Sequence, residues 1–170
     1  MGGDFDVILL VHAVDKSDLR NLINADQGDT LAIQFSEQID ASKICPTWNN
    51  TGTQTLNVNG DVTVHISTTN VPTVFSGSCT LNIGSIALGA NAKYGTAGAL
   101  SFSGNGNNAS TVSWNGSTTL TIKLGRAGTG SSGTTTTADV PAYTAAAGLT
   151  DLAGNPLGVS PFPGTTAYRF

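Results

Sequence analysis

The chain has 170 residues, a net charge of −4 and only 11% charged residues, yet 39% are hydrophobic. Low charge without low hydrophobicity excludes a disordered chain, and the 7 basic residues are scattered, leaving no stripe to neutralise nucleic-acid phosphates. The length fits one domain spanning 1–170, and the apolar run at 7–11 is far too short to cross a bilayer.

In chain order, Met1-Gly2-Gly3 reads as an added start on a piece of a longer chain. Asp4 and Asp6 stand where a signal peptide needs positive charge. Residues 5–14, FDVILLVHAV, form the first expected strand. A polar connection follows at 15–20, and Leu22-Ile23 restarts the strand before a turn at 24–29. In the next strand Leu31, Ile33 and Phe35 alternate with Ala32, Gln34 and Ser36, a period of two with one buried face. Asp40 is placed to N-cap a single helical turn at 41–44, which Pro46 limits. Asn59-Gly60 between 53–58 and 61–67 predicts a hairpin. Its second strand sets Val62, Val64 and Ile66 on one face, Thr63 and His65 on the other. Residues 78–88 alternate at Cys79, Leu81 and Ile83, then shift phase at Gly84, the mark of a bulge or break.

Residues 89–99 read as loop, 100–102 as a short strand and 104–108, GNGNN, as a turn. Residues 111–114 and 118–124 flank Asn115-Gly116 as a second hairpin, with Leu120, Ile122 and Leu124 inward. Residues 125–133 are Gly/Ser-rich and expected to be a mobile loop. A strand at 134–143 follows, and Pro141 sets its end at an edge. Strands at this spacing, with turn chemistry between them and no sustained helical period, predict an all-β, two-sheet antiparallel sandwich with long loops or extra strands.

Two distant stretches carry a resemblance. The first is GDTLAIQFSEQID at 28–40, with Gly28, Asp29, Phe35, Ser36, Glu37 and Asp40. The second is LTDLAGNPL at 149–157, with Leu149, Asp151 and the turn Gly154-Asn155-Pro156. Together they resemble the opening and closing strands of bacterial Ig-like domains of the S-layer-protein (SbsA) type. The resemblance implies an Ig-like β-sandwich and a setting in repetitive bacterial cell-surface proteins. It covers the two ends of the domain, and residues 41–148 carry no sharp motif of it.

Candidate chemistry is sparse. Cys45 and Cys79 are the 2 cysteines; they are either a disulfide, which the secreted-looking composition favours, or two buried thiols. Asp26, Asp29, Asp40, Asp151 and Asn155 could offer oxygens to calcium, or each could bond its own turn. Their spacing fits no known calcium loop. His12 and His65 lie in strands without nearby ligand partners, and no nucleophile elbow accompanies the many Ser and Asp residues. Glu37, at a strand end, is expected to bond backbone in the following corner. Trp48, with Trp114, Tyr94, Tyr143 and Tyr168, could stack on sugar, but core or rim packing is the favoured reading for both tryptophans. Asn49, Asn108 and Asn115 each begin an N-glycosylation pattern, read here as polar turns.

The resemblance, with no chemical signature beside it, implies a non-enzymatic structural or adhesive module, such as an adhesin or S-layer component, of a bacterial cell-surface or secreted protein. No catalytic residue and no cofactor is expected. The alternative is a carbohydrate- or ligand-binding module accessory to an extracellular enzyme. Expected partners are neighbouring domains, or copies assembling through an edge strand at 5–14 or 134–143, with a glycan as a further candidate; nucleic acid and membrane insertion are not expected.

Overall fold

The structure is a computed structural model that describes residues 7–12, 25–90, 94, 98–129 and 139–164. Its elements in chain order are β1 (Val7–His12), β2 (Thr30–Phe35), the one-turn helix α1 (Ala41–Ile44), β3 (Gln54–Leu56), β4 (Val62–Ile66), β5 (Pro72–Ser76) and β6 (Ser85–Ala87), followed by β7 (Leu100–Ser103), β8 (Thr111–Trp114), β9 (Thr119–Lys123), β10 (Arg126–Thr129), β11 (Ala142–Thr144) and β12 (Phe162–Pro163). They form antiparallel sheets ordered β1-β2-β9-β8-β3, β10-β7-β4-β5 and β12-β11-β6. The fold is all-β and sandwich-like, and the small third sheet supplies the extra strands. The expected start at 1–3, the connection at 15–20, Leu22-Ile23 and Tyr168 lie outside the described residues.

The core follows from the period of two. Leu31 and Ile33 of β2 pair with Ile122 and Leu120 of β9, and all four are buried. Phe35 and Leu124 continue the same buried face. Val62, Val64 and Ile66 of β4 and Leu100 and Phe102 of β7 belong to the same cluster, as do Ile86 of β6 and Tyr143 of β11. Phe35 sits where the sheets meet, its ring 6.1 Å from Trp114 and 6.2 Å from Tyr143. Burying each such side chain contributes about 1.5–3 kcal/mol.

The two stretches from the ends of the chain lie against each other. Ile39 and Asp151 form an antiparallel bridge, and the Asp40 N–H donates to the Thr150 carbonyl at 2.9 Å. The hairpin at Asn115 forms as expected between β8 and β9. The Asn115 side-chain oxygen accepts the N–H groups of Ser117, Thr118 and Thr119, each at 2.9 Å, and so closes the turn.

Four expectations are corrected. Asn59-Gly60 is a turn but not a hairpin: β3 pairs with β8 in one sheet, while β4 pairs with β5 and β7 in another. The Asp61 N–H to Val58 carbonyl bond closes this turn, and the chain crosses between sheets there. The hairpin of this region is β4–β5, turned at Asn70, whose φ of 61° is one that Asn tolerates. Within 78–88 only Ser85–Ala87 is strand. Gly84 breaks the phase because any Cβ there would strike the Thr144 carbonyl.

The loop expected at 125–133 begins as strand β10, paired to β7; residues 130–133 lie outside the described residues. Gly125 permits this, since a Cβ there would collide with the Ser103 carbonyl. Lastly, β11, which overlaps only the end of the expected 134–143 strand, is no edge. It lies between β12 and β6, whereas β1 does end its sheet.

Candidate functional site

The corner after β2 is built from its own polar residues. Asp40 caps α1: its carboxylate accepts the Ser42 N–H at 3.1 Å, the Ser42 hydroxyl at 2.7 Å and the Asn50 amide at 3.1 Å. Burial raises the Asp40 pKa, but these hydrogen bonds outweigh it and hold the carboxyl below its ordinary value. Asn50 in turn accepts the Ala41 N–H at 2.7 Å. The helix ends at Cys45, which is bonded to Cys79 with Cα atoms 5.9 Å apart. The disulfide therefore ties the end of α1, in the corner after β2, to the segment that follows β5.

Trp48 lies just beyond, its N–H donating to the Cys45 carbonyl at 2.9 Å. It is only 6% exposed and belongs to the core, so it offers no open ring face for a sugar. Trp114, Tyr94 and Tyr143 are buried as well. Both tryptophans thus pack in the core, the reading favoured over a sugar platform, and the turn after Cys45 folds Trp48 inward. Glu37 is exposed, and its neighbour Gln38 makes the corner contacts instead, donating to the carbonyls of Asn50 and Gly116.

The calcium candidates separate into two turns at opposite ends of β2. Asp29 is buried just before the strand and accepts the N–H of exposed Asp26 at 2.7 Å. Asp151 bridges to Ile39, past the other end, and both its oxygens accept from Asn155 at 2.7 Å, one from the backbone and one from the side chain. Those bonds lower its pKa, the Asn155 side chain contributing most. Among the described residues, no three His, Cys, Asp or Glu side chains come together. His12 lies in β1, and His65 lies on the outer face of β4 with its ring 5.7 Å from Phe75. Asn49, Asn108 and Asn115 are exposed; Asn49 and Asn115 brace their own turns with their side chains, and the Asn108 side-chain oxygen accepts from the Gln27 amide at 2.8 Å.

One open feature was not foreseen: the outer edge of β5. Two adjoining cavities of about 310 and 350 Å³ follow this edge and share Val74 and Leu81 as lining. Pro72 and Val74 form one wall. Leu81, Ile83, Ile86 and Ala146 form the other, held in place where Gly84 packs against the end of β11. Phe75 stands at the mouth, 57% exposed. Nearby, Asp61 accepts the hydroxyls of Ser76 and Ser78 at 2.8 and 2.9 Å and the Ser78 N–H at 2.8 Å. Burial raises its pKa, but these bonds win and lower it. The sequence signal was the run Pro72-Thr73-Val74-Phe75 between Asn70 and Gly77, masked by a proline that an edge strand tolerates at its first residue.

Comparison of the chain with protein-family models, with curated proteins and with solved structures returns no match.

Proposed function

We propose that the chain is a structural or adhesive module of a bacterial cell-surface or secreted protein, of the Ig-like kind that its end motifs resemble, and that it works by contact rather than by chemistry. The Cys45–Cys79 bond carries this reading. Structural disulfides persist in oxidising compartments outside the cytosol, and this one braces the corner after β2. The turn carboxylates support it too: Asp40 and Asp151 bond their own turns and Asp61 bonds the turn that follows β5, which suits a scaffold. Fractionation of the source cells with an antibody to the chain tests it. The expected result is the oxidised form in the medium or envelope. A cytosolic pool with both thiols free overturns the reading, as does turnover of any substrate abolished by a single Asp or His substitution in folded protein.

A second reading, a glycan-binding module, is favoured by Phe75. Its exposed ring packs edge-on to His65 at 75°, on a face where Thr63, Thr73 and Ser101 supply hydroxyls. A glycan array on the folded domain, repeated with Phe75→Ala, separates the two. Specific binding lost in the variant establishes the second reading, and a blank array removes it.

A further inference from the structure

We propose that the outer edge of β5 is a strand-addition site for an uncharged, extended peptide segment of another chain. The backbone ladder comes first. The Ser67 N–H donates to the Val71 carbonyl at 3.1 Å and the Gly77 N–H to the Asp61 carbonyl at 3.2 Å, at the two ends of the β4–β5 pairing. Bonded pairs alternate in an antiparallel ladder, so Thr73 and Phe75 bond back to β4. Pro72, Val74 and Ser76 then point their backbone groups outward. Pro72 has only a carbonyl to offer; Val74 presents both N–H and C=O, and Ser76 presents its N–H. No strand pairs with this edge among the described residues.

Natural edges are blunted by charge, by proline, by bulges or by cover. Of these β5 has Pro72 at its first residue. The opposite edge of the same sheet has two of these: Arg126 lies on β10, and its register slips between Ala127 and Thr129. β5 pairs with β4 without a slip, and no residue lining the two cavities is charged. The nearby carboxylate of Asp61 is already held by Ser76 and Ser78.

Charge matching therefore selects the occupant. A charged side chain would be desolvated against Leu81 and Ile83 with no counter-ion, which is costly, whereas an uncharged segment completes the ladder. Its alternate side chains, on the same face as Val74, enter the space between Val74 and Leu81, Ile83 and Ile86; the others lie outside beside Phe75. The volume is that of a small ligand site, enough for a short segment and not for a folded domain. Main-chain bonds supply affinity and the side-chain space supplies selectivity, as in other cases of strand addition. This inference rests on the reading of the chain as a contact module. Its test reads pairing at one strand, so it fails or succeeds separately from the compartment in which the protein is found.

The probe is a capped peptide of about six alternating Thr and Val residues, with a second in which Glu replaces Val. Binding to the full chain is followed by amide chemical shifts and hydrogen exchange. The expected result is that the Thr/Val peptide shifts and protects the Val74 and Ser76 amides while the Glu peptide does not. Val74→Pro, which removes the outward N–H, weakens binding by about fivefold to tenfold. Leu81→Asp does the same by charging the far wall, and it carries the test if Val74→Pro fails to fold. Three results overturn the proposal: no change at Val74 at millimolar peptide, shifts centred on β1 or β10 instead, or undiminished binding by both variants. Selective binding of oligosaccharide, sensitive to Phe75→Ala and indifferent to Val74→Pro, overturns it in favour of a glycan site.

Discussion

Asp151 and Asn155 close one turn by two bonds of 2.7 Å, backbone and side chain of Asn155 donating to the two carboxylate oxygens. The same turn is clamped to Ile39 across the sheet. Ionised Asp151 accepts both bonds; protonated, it loses part of that capacity. Asp40 and Asp61 are in the same position, and all three carboxyls sit below their ordinary value of 3.8 in the fold. The unfolded chain therefore takes up protons first as pH falls. The stabilisation is fully present above about pH 4–5 and is lost as pH drops through the lowered folded values. Thermal unfolding should show a nearly constant midpoint from about pH 7 to 5 and a steep fall below about pH 4. The variant Asp40→Asn/Asp61→Asn/Asp151→Asn should start lower and fall less steeply. An unchanged acid slope in that variant would sink the assignment.

Phe35→Ala should cost about 3–5 kcal/mol. Phe35 is 2% exposed and its ring meets both Trp114 and Tyr143, so truncation empties the junction between sheets rather than its rim. Denaturant unfolding of purified variant and parent measures the difference. A loss under about 1 kcal/mol would mean that the junction collapses onto the gap or that Phe35 is not where the sheets meet.

The alternation of Leu31, Ile33 and Phe35 was legible because a strand buried on one face writes its period directly into the chain. Asn115-Gly116 was legible because the two strands it joins are neighbours in one sheet. Asn59-Gly60 has the same local chemistry, but β3 finds its partner in β8, far along the chain, and no dipeptide encodes that. β5 was hidden by its position. At an edge Val74 is only half buried and Phe75 is exposed, so the apolar pattern that marks an inner strand is absent. Trp48 follows a proline in a loop, which left its exposure open; the turn at Cys45 and the disulfide beside it draw it into the core. The groove depends on the β5 edge and on the packing of Gly84; the sequence marks Gly84 as a break but does not encode what it packs against.

Reducing the Cys45–Cys79 bond should lower stability by about 3–4 kcal/mol, the chain-entropy value for closing a loop of 34 residues. Urea unfolding with and without reductant reads this, and Cys45→Ala/Cys79→Ala should behave as the reduced parent does. Alkylation without reductant should leave the intact mass unchanged. Equal urea midpoints in both conditions, or two alkylated thiols in protein from an oxidising compartment, would contradict the role given to this bond.

Tyr143→Phe should leave the protein as stable as the parent or raise its stability by about 1 kcal/mol. Tyr143 is 0% exposed, and its hydroxyl has no hydrogen-bond partner among the described residues. Burial pushes its pKa up, so the group stays neutral. A buried hydroxyl without a partner costs about 1–3 kcal/mol in lost hydration, whereas an apolar group of the same shape does not. Phenylalanine removes only the oxygen and keeps the edge-on contact with Phe35, at 6.2 Å and 78°. Tyr143→Ala, which removes the ring as well, should instead cost about 3–5 kcal/mol. The pair of variants separates the ring from its hydroxyl, and urea unfolding measures both. A loss of more than about 1 kcal/mol in Tyr143→Phe would show that the hydroxyl is satisfied in solution, and that the centre of this core is polar where the packing makes it dry.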